Sequence, residues 1–209
     1  MNQGKRNNTA ELFDMYSFKR TRNKWRGIGR FILLTAIALS VCGLISREVR
    51  SQSSKEYNLK LAFLYNFTKY VAYPATAFKT ADAPFVIGIV GTDPFGASLD
   101  RLAKKRTAQR RSIEVMRLSS SDDFSACHVL FVSRSLSSAK VEEIISASTN
   151  KPILLVGDDE GFARRGGVMN FYLKSNETIG MEINATAARE RLLTVNAKLL
   201  SLARVVESQ

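Results

Sequence analysis

Histidine, cysteine and proline are scarce in this 209-residue chain, which has one His, two Cys and four Pro. With so few Cys and His, a structural zinc site of four such ligands is excluded. Any histidine-dependent catalytic triad has to use His128, the sole histidine. Of the two cysteines, Cys42 lies in an apolar segment near the start, so a chain processed after that segment keeps only Cys127 and cannot form an internal disulfide. Also missing is an uncharged run of the roughly 20 residues that a comfortable membrane span needs. The longest, Phe31 to Ser46, has sixteen. No internal repeat and no low-complexity segment is present.

What is there is an ordinary globular composition, 45% hydrophobic and 24% charged, with a net charge of +12. Residues 1–51 hold ten Lys or Arg against three Asp or Glu, so +7 of the +12 sits in the leader and only +5 in the rest. A phosphate-binding surface needs its cations clustered on the folded domain, so a nucleic-acid partner is not expected. The first thirty residues are basic and polar, the apolar run follows, and Arg47 ends it. Positive charge ahead of such a run keeps that end in the cytoplasm. A cleaved signal peptide is the favoured reading, with Val49 and Ser51 as the small residues before a cut at Gln52. An uncleaved anchor and a buried core helix are the alternatives. Val41 before Cys42 is too bulky for a lipoprotein site, and the long basic stretch makes Met15 a candidate start. The expected organisation is a leader over 1–51 and one α/β domain over 52–209, placed in the periplasm.

Within that domain, Leu61, Leu64, Tyr65, Thr68 and Val71 share one face of a predicted helix over 55–72, which Pro74 ends. Continuous apolar runs at 85–91, 127–133 and 152–157 read as strands covered on both faces. Residues 112–118 alternate and read as a further strand. Helices are predicted over 97–104 and 135–148. The alternation of strand and helix points to a mostly parallel central sheet flanked by helices. A C-terminal hairpin follows, pairing 168–173 with 178–183. Asn184 is an N-cap for a helix over 185–192, and a last amphipathic helix is expected over 196–206.

The search for chemistry returns little. Cys127 and His128 are adjacent in a strand, where neighbouring side chains point to opposite faces, so they do not make a nucleophile and base. Gly88 and Gly91 ahead of Thr92-Asp-Pro-Phe-Gly96 have the wrong spacing for a dinucleotide fingerprint, and Pro94 lacks an N–H. Asp158, Asp159 and Glu160 read as a solvated turn rather than a cation site. Lys104, Lys105 and Arg106 with Arg110 and Arg111 read as a solvated basic turn. No enzyme, cofactor or metal is expected. A docking surface is looked for at Gly161, Phe162, Gly166, Gly167, Asn170 and Phe171, where glycines permit unusual backbone angles and Phe162 is an apolar side chain in a polar loop. The competing reading has Phe162 and Phe171 capping the core.

Several segments, in order, resemble the YfiR-like family. They are Leu61-Ala-Phe-Leu-Tyr-Asn-Phe-Thr-Lys-Tyr-Val71, Gly91-Thr-Asp-Pro-Phe-Gly96 and Cys127-His-Val-Leu-Phe-Val-Ser133, then Gly161-Phe-Ala-Arg-Arg-Gly-Gly-Val-Met-Asn-Phe171, Met181-Glu-Ile-Asn184 and Ala197-Lys-Leu-Leu-Ser-Leu-Ala-Arg-Val205. The resemblance covers about residues 57–206. It implies a small periplasmic regulator without catalysis that binds the periplasmic part of an inner-membrane signalling protein. The implied partner is a diguanylate cyclase, whose cyclic-di-GMP output it restrains until envelope or redox stress lifts the restraint. A small-ligand-binding accessory of a sensor kinase or receptor is the alternative, and a homodimer is left open. Disulfide control is associated with some relatives; a mature chain with Cys127 alone has no internal disulfide switch, and an intermolecular disulfide is left open.

Overall fold

The computed structural model describes residues 55–176 and 178–208. The predicted leader, with Cys42 and the proposed cleavage point, lies outside them.

A helix, α1, covers 55–70. It buries Leu61, Leu64 and Thr68 of the predicted stripe together with Phe67 and Lys60, leaves Tyr65 half-buried, and Phe67 stacks on Phe171 with ring centroids 5.6 Å apart. Beyond α1 the chain turns extended at β1 (Val71–Ala72), two residues that the periodicity assigns to the helix. The apolar runs form β2 (Phe85–Val90), β5 (Val129–Val132) and β6 (Leu154–Gly157), every residue of which is buried. Coverage on both faces is why these strands lack the alternation of a half-buried sheet. The helices α2 (Ala97–Lys105) and α3 (Ser138–Ala147) make the crossovers. The strand β4 (Arg111–Leu118) is entered through a short antiparallel strand, β3 (Thr107–Ala108). The hairpin follows as β7 (Met169–Leu173) and β8 (Ile179–Asn184). Asn184 caps α4 (Ala185–Glu190) by accepting a hydrogen bond from the Ala187 amide at 2.9 Å, as its position predicts.

The last predicted helix is corrected. Only one turn, α5 (Ala197–Leu200), is helical. Before it, β9 (Thr194–Val195) pairs with β1, and after it β10 (Arg204–Val206) joins the sheet parallel to β8. The β-branched Val205 and Val206 suit an edge strand, and an ion pair from Arg204 to Glu182 of β8 pins the register. Among the described residues the sheet runs β10-β8-β7-β6-β5-β2-β4-β3. Strands β4, β2, β5, β6 and β7 are parallel, while β8 runs antiparallel to β7 and β3 antiparallel to β4. The fold is thus an α/β domain with a mostly parallel central sheet, as expected, but its C-terminus adds a strand as well as helices.

Because β2 lies between β4 and β5, the connections leaving β2 and β5 diverge, and the sheet has a switch point there. The carboxyl ends of β2, β5 and β6 therefore share one edge, and the amino ends of β2 and β5 share the other.

Candidate functional site

The carboxyl edge gathers four segments that are distant in sequence. The loop after β2 turns at Gly91, whose φ of +88° suits glycine. A Cβ there would also lie 2.9 Å from the Ser135 hydroxyl of the loop after β5, and that hydroxyl accepts from the Thr92 amide. Asp93 accepts from the amides of Phe95 and Gly96 and from Arg117, so its carboxylate shapes the loop rather than facing outward. Phe95 is buried edge-on against Phe131 of β5 and Tyr57 of α1.

Asp158, immediately after β6, is the centre of the arrangement. Its Oδ2 accepts from the Lys60 ammonium and the Tyr57 hydroxyl, each at 2.9 Å. Lys60 is itself buried and also pairs with Glu56. Burial, and then the Asp158 charge, push the Tyr57 phenol up to about 12, so it stays a donor. Lys60 and the exposed Arg134 both lie over the Tyr57 ring, at 4.5 and 5.8 Å from its centroid. The other carboxylate oxygen, Asp158 Oδ1, is buried with no hydrogen-bond partner among the described residues. The acidic turn is therefore not uniformly solvated as expected. Asp158 is a buried anchor, Asp159 pairs with Arg165, and Glu160 is exposed.

The glycine-flanked segment predicted as a docking surface begins at this edge, but several of its side chains point inward. Phe162, expected as an apolar group on a polar loop, is 0% exposed. Its ring fills the space that Gly157 and Gly167 leave open, since a Cβ on Gly167 would lie 2.2 Å from it. Asn170 and Phe171 are each 2% exposed, the first bonded to Glu182 and the second stacked on Phe67. Gly167 is buried as well. Burial of apolar area outweighs the loop's polar setting, so Phe162 and Phe171 complete the core. The segment's accessible part is Gly161, Arg164, Arg165 and Gly166. Sequence reasoning misses Tyr57, Lys60, Arg134 and Asp158 as members of one edge. The only hint is a lysine on the otherwise apolar face of α1.

The remaining candidates resolve simply. Cys127 is buried beside Gly88, and burial followed by the Asp123 charge pushes its thiol up to about 12. His128 is buried at the opposite, amino edge of the sheet. Arg111 leaves the basic turn, donating to the Thr80 and Ala83 carbonyls with its guanidinium 3.9 Å from the Phe78 ring centroid. A cavity of about 460 Å³ lies away from the carboxyl edge, between the end of α1, Gln109 and Asn196. Among the described residues no group of three His, Cys, Asp or Glu is placed to hold a metal ion, and no helix is long and apolar enough to cross a membrane.

The model of one protein family, described as YfiR/HmsC-like, matches residues 57–204. No curated protein matches the chain. Among solved structures, a conserved domain protein from Vibrio cholerae O1 biovar eltor is 18% identical, with a TM-score of 0.41. That match covers 57% of this chain and spans 54% of the length of the solved one.

Proposed function

The chain belongs to the YfiR/HmsC-like family of periplasmic regulators of cyclic-di-GMP signalling, and from that premise we propose that it is a non-enzymatic repressor of an inner-membrane diguanylate cyclase. It works by binding the cyclase's periplasmic part more tightly in the off state than in the on state. Differential affinity of this kind is all a binding protein needs to shift a two-state receptor. The observation that carries the reading is the family match over 57–204, nearly the whole of the described domain.

The docking surface in this reading is the carboxyl edge. Arg134, Arg164 and the Gly161–Gly167 turn provide accessible groups, while the Lys60–Asp158 pair holds α1 against the loops that carry them. This reading has the edge facing the receptor. A second reading, an accessory that binds a small ligand for a sensor kinase or receptor, draws support from the unpartnered Asp158 Oδ1 beside the switch point.

The test is genetic and chemical together. Deleting the gene is expected to raise cellular cyclic-di-GMP, measured by mass spectrometry of nucleotide extracts, and the wild-type chain should restore it. A chain carrying Arg134→Glu and Arg164→Glu should accumulate normally but fail to restore it. Unchanged cyclic-di-GMP on deletion would rule out the cyclase and leave the second reading.

A further inference from the structure

His128 stands at the amino edge of the sheet, one residue before β5, in a setting that has no bearing on docking at the other edge. Its imidazole packs against two phenyl rings that also touch each other: it is 4.4 Å from Phe78 and 5.0 Å from Phe85, at interplanar angles of 16° and 27°, and the phenyl centroids are 6.3 Å apart. Both ring nitrogens are committed. Nδ1 accepts the Val86 amide at 3.0 Å, and Nε2 lies 3.1 Å from the Ala77 carbonyl, to which it can only donate. That pair of partners selects the neutral tautomer with its proton on Nε2. The imidazole thereby extends the ladder between β2 and β5 by one rung, next to the backbone bond from the His128 amide to the Val86 carbonyl. It also ties residues 73–84 to the sheet, because Ala77 and Phe78 belong to that strap.

We propose that His128 is an acid-sensitive latch: protonating Nδ1 sets an N–H against the Val86 N–H and releases the strap of residues 73–84 from the sheet. An imidazolium has two donors and no acceptor, so the Val86 bond cannot survive. Among the described residues no carboxylate bonds to the ring to offset the new charge. From β4 comes Arg111, a cation behind Phe78. From the chain after β1 comes Tyr73, whose hydroxyl donates to the His128 carbonyl and whose phenol burial holds far above its usual range. From the chain just before β5 comes Cys127, neutral in its buried site. From the strap come Lys79 and Asp82, both exposed; the Asp82 carboxyl sits below its usual range because of its hydrogen bond with Thr80. Burial holds the imidazole below its ordinary value; the Ala77 carbonyl pushes the other way by less than burial does, and the Arg111 charge adds the smallest, lowering, effect.

The sign follows from that direction. The unfolded chain, with an imidazole near 6.5, binds the proton more readily than the latched state. The latch is intact above about pH 6.5 and weakens as pH falls from there towards the lower folded value. Opening exposes Phe85, fully buried in the latched state, and more of the half-buried Phe78 ring.

His128 is the only histidine, so its ring resonances in the purified full chain need no assignment. Two readouts on that protein test the latch between pH 7.5 and 5. The ring carbon shifts should titrate below the ordinary histidine value. Hydrogen exchange, corrected for the intrinsic pH dependence, should lose protection in the strap and at Val86. The loss should be about ten-fold for each pH unit by which the folded imidazole value lies below 6.5, while β6 and α3 stay protected. In His128→Gln the residual pH dependence of the strap should vanish. An imidazole titrating at its ordinary value with an unchanged strap overturns the proposal. So does loss of protection in all elements together, or an equal pH dependence in His128→Gln.

Discussion

The two ends of the parallel strands bury polar side chains in opposite ways. At the carboxyl edge a carboxylate and an ammonium, Asp158 and Lys60, are taken out of water as a charged pair with Tyr57 as third partner. At the amino edge a single neutral imidazole is packed against Phe78 and Phe85, and its ring nitrogens are held by backbone groups. A charged pair needs both members, so removing one leaves an uncompensated charge. A neutral ring needs only to remain neutral, so its weak point is the proton. The first end is vulnerable to mutation, the second to acid.

The largest expected effect breaks the carboxyl end. Lys60→Met strands Asp158 in the core and should cost about 3–5 kcal/mol of unfolding free energy, measured by urea denaturation. Lys60→Met with Asp158→Leu should recover much of that loss. Next comes Gly167→Ala, which drives a methyl into the Phe162 ring and should cost about 1–3 kcal/mol. A cost near zero would mean that Phe162 can leave its site and become a surface residue. The cap removed in Asn184→Ala should cost about 1 kcal/mol or more, because its side chain also donates to the Ala163 carbonyl under the same loop. At the amino end, Cys127 should resist a disulfide reagent at pH 8, and its labelling should follow opening of the domain, because burial and a thiol pushed up to about 12 leave almost no thiolate. The smallest stability effect sharpens the comparison most. Arg134→Glu, at an exposed position, should change stability by no more than about 0.5 kcal/mol and yet lower affinity for the receptor.

Much of the scaffold is legible in the sequence because its signals are local. The buried strands announce themselves as unbroken apolar runs, and α1 as a stripe at helical spacing. Asn184 at a strand end reads as a cap and is one. The C-terminal segment is misread because Leu199, Leu200 and Val206 fit a helical period, whereas partners on β8 draw Arg204–Val206 into the sheet. The hairpin tip between β3 and β4 carries no turn signal. Gln109 and Arg110 take φ values of +49° and +64° without the usual Gly or Asn, and Gln109 donates to the Thr68 and Val71 carbonyls at the end of α1.

The carboxyl edge is less legible for a plainer reason. Lys60 and Asp158 are 98 residues apart, and neither belongs to a motif. Read alone, Asp158 is one acid in a run of three, and Phe162 an apolar residue in a polar loop. Only the folded topology brings α1 over the ends of β5 and β6, turning the first into a buried anchor and the second into core. The glycines that flank Phe162 serve that packing: Gly157 and Gly167 make room for the ring, and Gly166 turns the chain at a φ of +104°.

Site-specific photocrosslinking in living cells tests the docking account most directly. A photoreactive residue placed at Arg134 on the carboxyl edge is compared with one at exposed Lys79, beside the amino edge. The account predicts a crosslink from position 134, and not from 79, to the periplasmic part of an inner-membrane protein with a cyclase output domain. Crosslinks to cytoplasmic proteins, or to such a receptor from position 79 alone, would contradict it.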